Sequence, residues 1–238
     1  MRSKLSLLLG ATVLSSAAAC GSSPGNALEG KTPQGVLSAA LSAASKFGGV
    51  HYVLETSGTV QKETVTGDAR TNEGIQSVVT GSDQVVVESV GSTAFLRGNA
   101  GGLQNIIGLA AAPASQYADK WISLQRSDSL YQSVVRAVTL KSMLAQLEPL
   151  APLVESMPGT LGGRHVIGVR GELPSHSGNG SATFWFSTSK PTVPVGVDAQ
   201  STNGGQTVTE IGAFSKWGER FSLPSLPSAV AFSTIPTK

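Results

Sequence analysis

Three histidines, one cysteine and a serine–lysine pair are the residues best suited to chemistry in this chain of 238 residues. His51, His165 and His176 fall in two strand-like runs and a Gly/Ser turn, with none of the HxH or HExxH spacings that bring two imidazoles onto one metal. Each reads as a satisfied or solvated side chain. "STSK", Ser187 to Lys190, matches the S-x-x-K nucleophile motif, in which the serine opens a helix. Here it ends a strand-like run and meets Pro191, without S-D-N or K-T-G, and a chain this rich in serine produces such a match by chance. There is no G-x-S-x-G, no Walker loop and no G-x-G-x-x-G between a strand and a helix. The carboxylates are scattered, so no glycosidase-like pair stands out. Cys20 is the only cysteine, and it can neither close an intrachain disulfide nor build a metal site alone. As a nucleophile it would need a base, and His51 lies beyond a Gly/Ser/Pro stretch. The expectation is a protein that is not an enzyme and carries no metal or cofactor.

What precedes Cys20 gives the thiol a different use. Arg2 and Lys4 make a short basic start, "LSLLLGATVLSS" an apolar stretch, and "AAA" a small-residue site directly before the cysteine. The stretch is shorter than the roughly 20 residues of a membrane-spanning helix and reads as an export signal over residues 1–19. The arrangement resembles the lipobox of bacterial lipoproteins, with Ala17 where leucine is usual. That resemblance implies cleavage before Cys20 and a diacylglycerol thioether on it. The alternative is an ordinary secretory signal with a cysteine by chance.

Removing Arg2 and Lys4 from the 17 basic residues leaves fifteen against 15 acidic ones, a formally neutral mature chain. No basic cluster interleaves with aromatics, so no nucleic-acid partner is expected. Residues 20–32, "CGSSPGNALEGKT", form a tether of small and turn-forming residues. As a flexible coil it spans about 20 Å on average and about 45 Å stretched, so the domain over 33–238 can face the membrane surface.

That domain opens with a helix: Thr32 caps it, Pro33 suits its first position, Gly48-Gly49 can end it, and Val36, Leu37, Ala40, Leu41, Ala44 and Phe47 share a face. Five β-rich runs follow between Val50 and Arg97, each closed by a turn signal. Residues 100–157 read as helical, in "GGLQNIIGLAAAP", "SDSLYQSVVRAV" and "TLKSMLAQLEPL", interrupted by Pro149, Pro152 and Pro158. Strands return in "RHVIGVRGE", "SATFWFSTS", "TVPVGVDAQS" and "GQTVTEIGAFSKW". Long runs of adjacent strands predict an α+β domain with a large curved antiparallel sheet, its concave face covered by short helices. Helices that fill this face make a core, and helices that fill it loosely leave an apolar pocket.

"YADKWISL", "KPTVPVGV" and the close "FSKWGERFSLPSLPSA" are similar to motifs of the actinobacterial LppX/LprG-type lipoproteins, which have a LolA-like fold. The resemblance extends in element order over most of residues 34–230. It implies a half-open barrel with helices on its concave side, enclosing a cavity for acylated lipids that are carried or presented in the cell envelope. The lipid or glycolipid would be the ligand, the protein would sit on the extracytoplasmic face of the cytoplasmic membrane through its lipid anchor, and an envelope transport partner is open. Candidate cavity-lining residues are Leu103, Ile106, Ile107, Leu109, Val134, Val138, Met143 and Leu144. Gly101, Gly102 and Gly108 weaken the helix over "GGLQNIIGLAAAP", and Pro113 stops it, which suits a movable wall. Trp121 and Trp217 lie in the family-like motifs and read as structural. Trp185 points away from Phe184 and Phe186, either packing at a rim or stacking on cell-wall glycan. A tethered scaffolding or glycan-binding module with a filled core is the alternative function.

Overall fold

The computed structural model describes residues 28, 30–58, 61–136, 138–146, 150–155, 158–173, 179–203, 205–223 and 228–236. The export signal, Cys20 and His176 lie outside them. Helix α1 (Pro33–Ala44) starts as its sequence dictates: the Thr32 hydroxyl accepts from the Gly35 amide at 3.2 Å, and Pro33 stands where no amide is needed. It ends at Ser45, before the glycine pair, through turn-type bonds to Ala43 and Leu41 carbonyls. Val36, Leu37, Ala40 and Ala44 are buried, while Leu41 and Phe47 are only partly covered.

Thirteen strands form one sheet. The first five are the expected ones: β1 (Gly49–Ser57), β2 (Glu63–Arg70), β3 (Glu73–Thr80), β4 (Asp83–Val90) and β5 (Thr93–Gly98). Then come β6 (Ile122–Gln125), β7 (Leu150–Glu155), β8 (Gly159–Leu161), β9 (Arg164–Glu172), β10 (Asn179–Ser187), β11 (Pro194–Asn203), β12 (Gln206–Ser215) and β13 (Val230–Ala231). The spatial order is β13-β6-β5-β4-β3-β2-β1-β12-β11-β10-β9-β7, with β8 also on β9. Every pairing is antiparallel except β13 with β6. β12 closes back on β1, so the early and late strand runs become one curved, unclosed sheet with β13 and β7 at its edges.

The middle is less helical than its periodicity predicts. A π-helical turn (Gly102–Ile106), α2 (Ala111–Gln116), α3 (Tyr131–Val134) and α4 (Leu140–Gln146) are short, and β6 and β7 are strands. Pro152 disfavours helix and suits β7, because an edge strand can lose an amide donor toward solvent; the pairing register shifts there, between Leu150 and Val154.

Among the described residues α1 to α4 and the π turn lie on one face, over two clusters. The first joins α1 and α4 to β1, β2 and β9–β11 through Val36, Leu37, Tyr52, Phe184, Phe186 and Met143. The second joins the π turn, α2 and α3 to β4–β6 through Val85, Leu96, Leu103, Leu109, Ile122 and Val134. Each fully buried Val, Leu or Phe stabilises the fold by about 1.5–3 kcal/mol relative to exposure. Between the clusters the backbone at Val138 comes down onto Gly74 of β3, where a Cβ would collide with the Val138 carbonyl. On the opposite, outer face the chain leaving β12 passes over Gly49, with the Glu219 carbonyl 2.9 Å and the Phe221 ring 3.2 Å from where a Cβ would stand, and rejoins the sheet as β13.

Candidate functional site

An apolar groove of about 410 Å³ opens between α1 and α4, beside the turn that ends β2. Leu41 and Ser45 come from α1, Thr71 from the turn, and Leu140, Lys141, Leu144 and Ala145 from α4. Leu41 and Leu144 are left along the seam because two thin helices cross a curved sheet without interdigitating fully there. Leu140 is 2 % and Leu144 9 % exposed, and the side chains beneath belong to the first cluster. Three polar groups complete the walls: two hydroxyls and one ammonium, that of Lys141. A groove of this size falls within the range of small-molecule sites, and aliphatic walls with a few polar groups suit an acyl chain bearing an anionic or hydroxylated head.

A partly buried polar pair ties β1 to β3 in the sheet beneath. The Tyr52 hydroxyl donates to Gln76 Oε1 at 2.9 Å, and Gly67 gives the ring its room, since a Cβ there would collide with it. Burial pushes the Tyr52 phenol above its usual range, and the Asp68 charge adds to the effect. At the far end of β1, Leu54, Val65 and Ala199 are only partly covered, and Glu210 and Glu63 both stand opposite Thr56. Burial, with the Glu63 charge second, raises the Glu210 carboxyl above its usual range. The helix-facing side therefore has an apolar groove at one end and two carboxylates at the other.

Of the eight candidate lining residues, only Leu144 lines this groove. Met143 lies under it at 2 % exposure. Leu103, Leu109, Val134 and Val138 are buried in the second cluster, with Ile106 and Ile107 packed against it. The glycines of "GGLQNIIGLAAAP" have specific positions. A Cβ on Gly101 would strike the Asp83 carboxylate and one on Gly102 the Gln84 carbonyl, while Gly108 takes φ +87°. Asn99 Oδ1 accepts from the Gly102 amide at 2.7 Å, and Asn105 donates to Asp83 at 2.7 Å. Gly101 and Gly102 allow close docking on β4, while a side chain at Gly108 would meet open space. Leu41, Ser45, Thr71, Leu140, Lys141 and Ala145 are lining residues beyond those expected from sequence; Leu41 belongs to the predicted apolar face of α1, and only the approach of α1 to α4 brings it to this groove.

Among the described residues the reactive side chains do not converge. Ser187 is 5 % exposed; its Oγ donates to the Ser189 carbonyl at 3.0 Å and lies 3.1 Å from Ser189 Oγ. His51 Nδ1 meets Asp68 Oδ1 at 2.7 Å on the outer face. Ser215 stands opposite His51 in the β1–β12 register. The exposed His165 is held through its carbonyl, which accepts from the Thr188 amide at 3.1 Å. Among the described residues no three His, Cys, Asp or Glu side chains gather as a metal site, and no helix is long and apolar enough to cross a membrane.

The tryptophans divide. Trp217 donates to the Pro194 carbonyl at 2.9 Å and meets Phe47 edge-on at 6.2 Å, locking the end of β12 to the end of α1. Trp121 lines an outer cleft with Arg97, Asn99 and Asp119. Trp185 faces outward, as the alternation with Phe184 and Phe186 predicts; it is half-buried and donates to Asp198 Oδ2 at 2.6 Å.

No protein-family model matches the chain, and no curated protein matches it in sequence. Solved structures do match. LprF from Mycobacterium bovis superposes with a TM-score of 0.52 at 13% identity, over 81% of this chain and 96% of that one. The lipoprotein LppX from Mycobacterium tuberculosis superposes with a TM-score of 0.53 at 16% identity, over 81% of this chain and 100% of that one. At such identities the likeness concerns the backbone: this chain has the half-open, helix-lined sheet of the mycobacterial LppX and LprF proteins.

Proposed function

We propose that this protein is an exported lipoprotein that binds an acylated lipid and carries or presents it in the cell envelope, with the acyl chain in the groove between α1 and α4. The observation that carries the reading is that groove: about 410 Å³ walled by Leu41, Leu140, Leu144 and Ala145 on the helix-facing side of the sheet. The shared fold with the lipoprotein LppX supports the same general kind of protein. The proposed role is binding without catalysis; the Ser187 hydroxyl bonds to Ser189 and His51 pairs with Asp68, which is compatible with it. A lipid on Cys20 would hold the domain at the extracytoplasmic face of the membrane, its tether over residues 20–32 leaving room to turn.

A filled-core scaffolding module is the second reading, and the close packing of the second cluster favours it. The glycan-stacking variant has less support, because Trp185 is half-buried and does not stand free of the sheet surface. Native mass spectrometry of the full chain from an actinobacterial host separates the two readings. A released acyl lipid at one per protein, together with a diacyl increment on Cys20, is the expected result. A protein carrying no lipid beyond its anchor would leave the scaffold.

A further inference from the structure

A second pocket, of about 360 Å³, lies at the end of the sheet where β10 finishes and β11 begins, and it gathers three cations from separate segments. Arg164 opens β9, Lys190 lies in the β10–β11 loop, and Lys216 follows β12. All three are exposed, and none takes part in an ion pair among the described residues. Among the described residues no carboxylate lines the pocket; Ser187, Ser189 and Trp217 do.

The local structure holds these groups in place. Gly162 and Gly163, at φ +54° and +77°, make the tight turn that delivers Arg164. Lys216 itself takes φ +54°, a left-handed conformation that a non-glycine residue adopts only when its surroundings impose it. Here they do: the Lys216 carbonyl accepts from the Glu219 amide at 3.1 Å, the Gly218 amide donates to Gly49 at 2.9 Å, and Trp217 is tied to Pro194 at 2.9 Å. In the loop, Ser187 spends its single proton on the Ser189 carbonyl, so across the 3.1 Å contact between the two hydroxyls Ser189 is the donor and can turn outward instead. Three like charges around one hollow repel one another, and an oxyanion between them relieves that repulsion while accepting from guanidinium, ammonium and hydroxyl together.

We propose that Arg164, Lys190 and Lys216, with the Ser189 hydroxyl, form a binding site for a phosphate group, separate from the acyl groove. The phosphate belongs to a lipid headgroup or to a free phosphate or soluble ester. The "STSK" sequence thereby acquires a use in which its lysine binds and its serines shape the loop.

Amide shifts of the isotope-labelled full chain, titrated with inorganic phosphate at low ionic strength, test the site. Saturable shifts confined to the segments around Arg164, Ser189 and Lys216 are expected. Lys190→Gln with Lys216→Gln should weaken the affinity at least about tenfold, since each hydrogen bond to a charged group is worth about that much. Lys120→Gln with Arg126→Gln, which removes the same charge elsewhere, should change it by less than about twofold. Vesicles of phosphatidylcholine alone are then compared with vesicles that also contain phosphatidylglycerol. Extra binding to the latter, lost in the Lys190/Lys216 variant, assigns the phosphate to a lipid headgroup; phosphate binding without it assigns a free phosphate or ester. Absent saturation, shifts spread over the whole chain, or equal weakening in the control variant would each overturn the proposal. Should the double variant melt prematurely, the wild-type shift map still decides.

Discussion

The two halves of the helix-covered face are closed by different means. Over β4–β6, glycines bring the π turn against the strands, Asn99 and Asp83 bond it there, and Leu103 and Leu109 fill the space beneath. Over β1, β2 and β9–β11, α1 and α4 are carried on aromatic and branched side chains, and a seam remains between them. A contact made through glycine leaves the backbone no room to yield, whereas helices resting on side chains can part by changing rotamers. A ligand is thus expected in the half closed by side chains, which holds Met143 and Leu144 of the expected lining, although the other six candidates lie in the sealed half.

The largest effect that separates the halves is a cavity in the sealed one. Leu103 is fully buried, so Leu103→Ala should cost about 2–5 kcal/mol in denaturant unfolding while leaving lipid uptake unchanged. Uptake lost in a folded variant would mean that the ligand site extends there.

Bulk added to each half gives the next contrast. Ile107→Trp has to enlarge a filled cluster and should cost about 1–3 kcal/mol. Leu144→Trp points into existing space and should cost less than about 1 kcal/mol while abolishing uptake of a fluorescent fatty acid. The reverse pattern would exchange the roles of the two halves.

A third contrast concerns the outer face. Glu88 on β4 lies between Ile75 and Phe95 in the cross-strand register, wholly buried, and among the described residues neither carboxylate oxygen has a hydrogen-bond partner. Burial, with the Glu73 charge second, raises its carboxyl above the usual range. Because the folded state holds this proton more tightly than the unfolded one, the contribution to stability is complete below the ordinary glutamate range near pH 4 and is lost as pH rises through the raised folded value. Chemical unfolding of the parent should therefore weaken from mildly acidic toward neutral pH. Glu88→Gln should flatten that decline, on the order of 1 kcal/mol for each unit by which the carboxyl is raised. An unchanged pH profile would show that Glu88 is hydrated.

The smallest expected change is at Trp185. Trp185→Phe removes one partly exposed bond to Asp198 and should alter stability by no more than about 0.5 kcal/mol, with no loss of lipid uptake.

Much of the fold was legible because its signals are local. Thr32-Pro33 marks α1, alternation marks β1–β5 and β9–β12, and the opposed directions of Phe184, Trp185 and Phe186 follow from the pleat. β7 was hidden because Leu147 and Leu150 continue a helical period that the prolines interrupt. The groove was only half legible: Leu144 stands out as a lining candidate, whereas Leu41 looks like a core position on its own helix, and only the approach of α1 and α4 in the fold puts the two on one groove. Gly101 and Gly102 misled in the opposite direction. In sequence they weaken a helix, whereas in the fold they make close docking on β4 possible.

Photo-cross-linking with a diazirine-bearing fatty acid, mapped by peptide mass spectrometry on the full chain, tests the central claim most directly. Labels should fall on the α1 peptide containing Leu41 and Ser45 and on the α4 peptide from Leu140 to Ala145, and should disappear in Leu144→Trp. Labels concentrated on residues 103–116, or none above a bulk-protein background, would contradict a lipid site between α1 and α4.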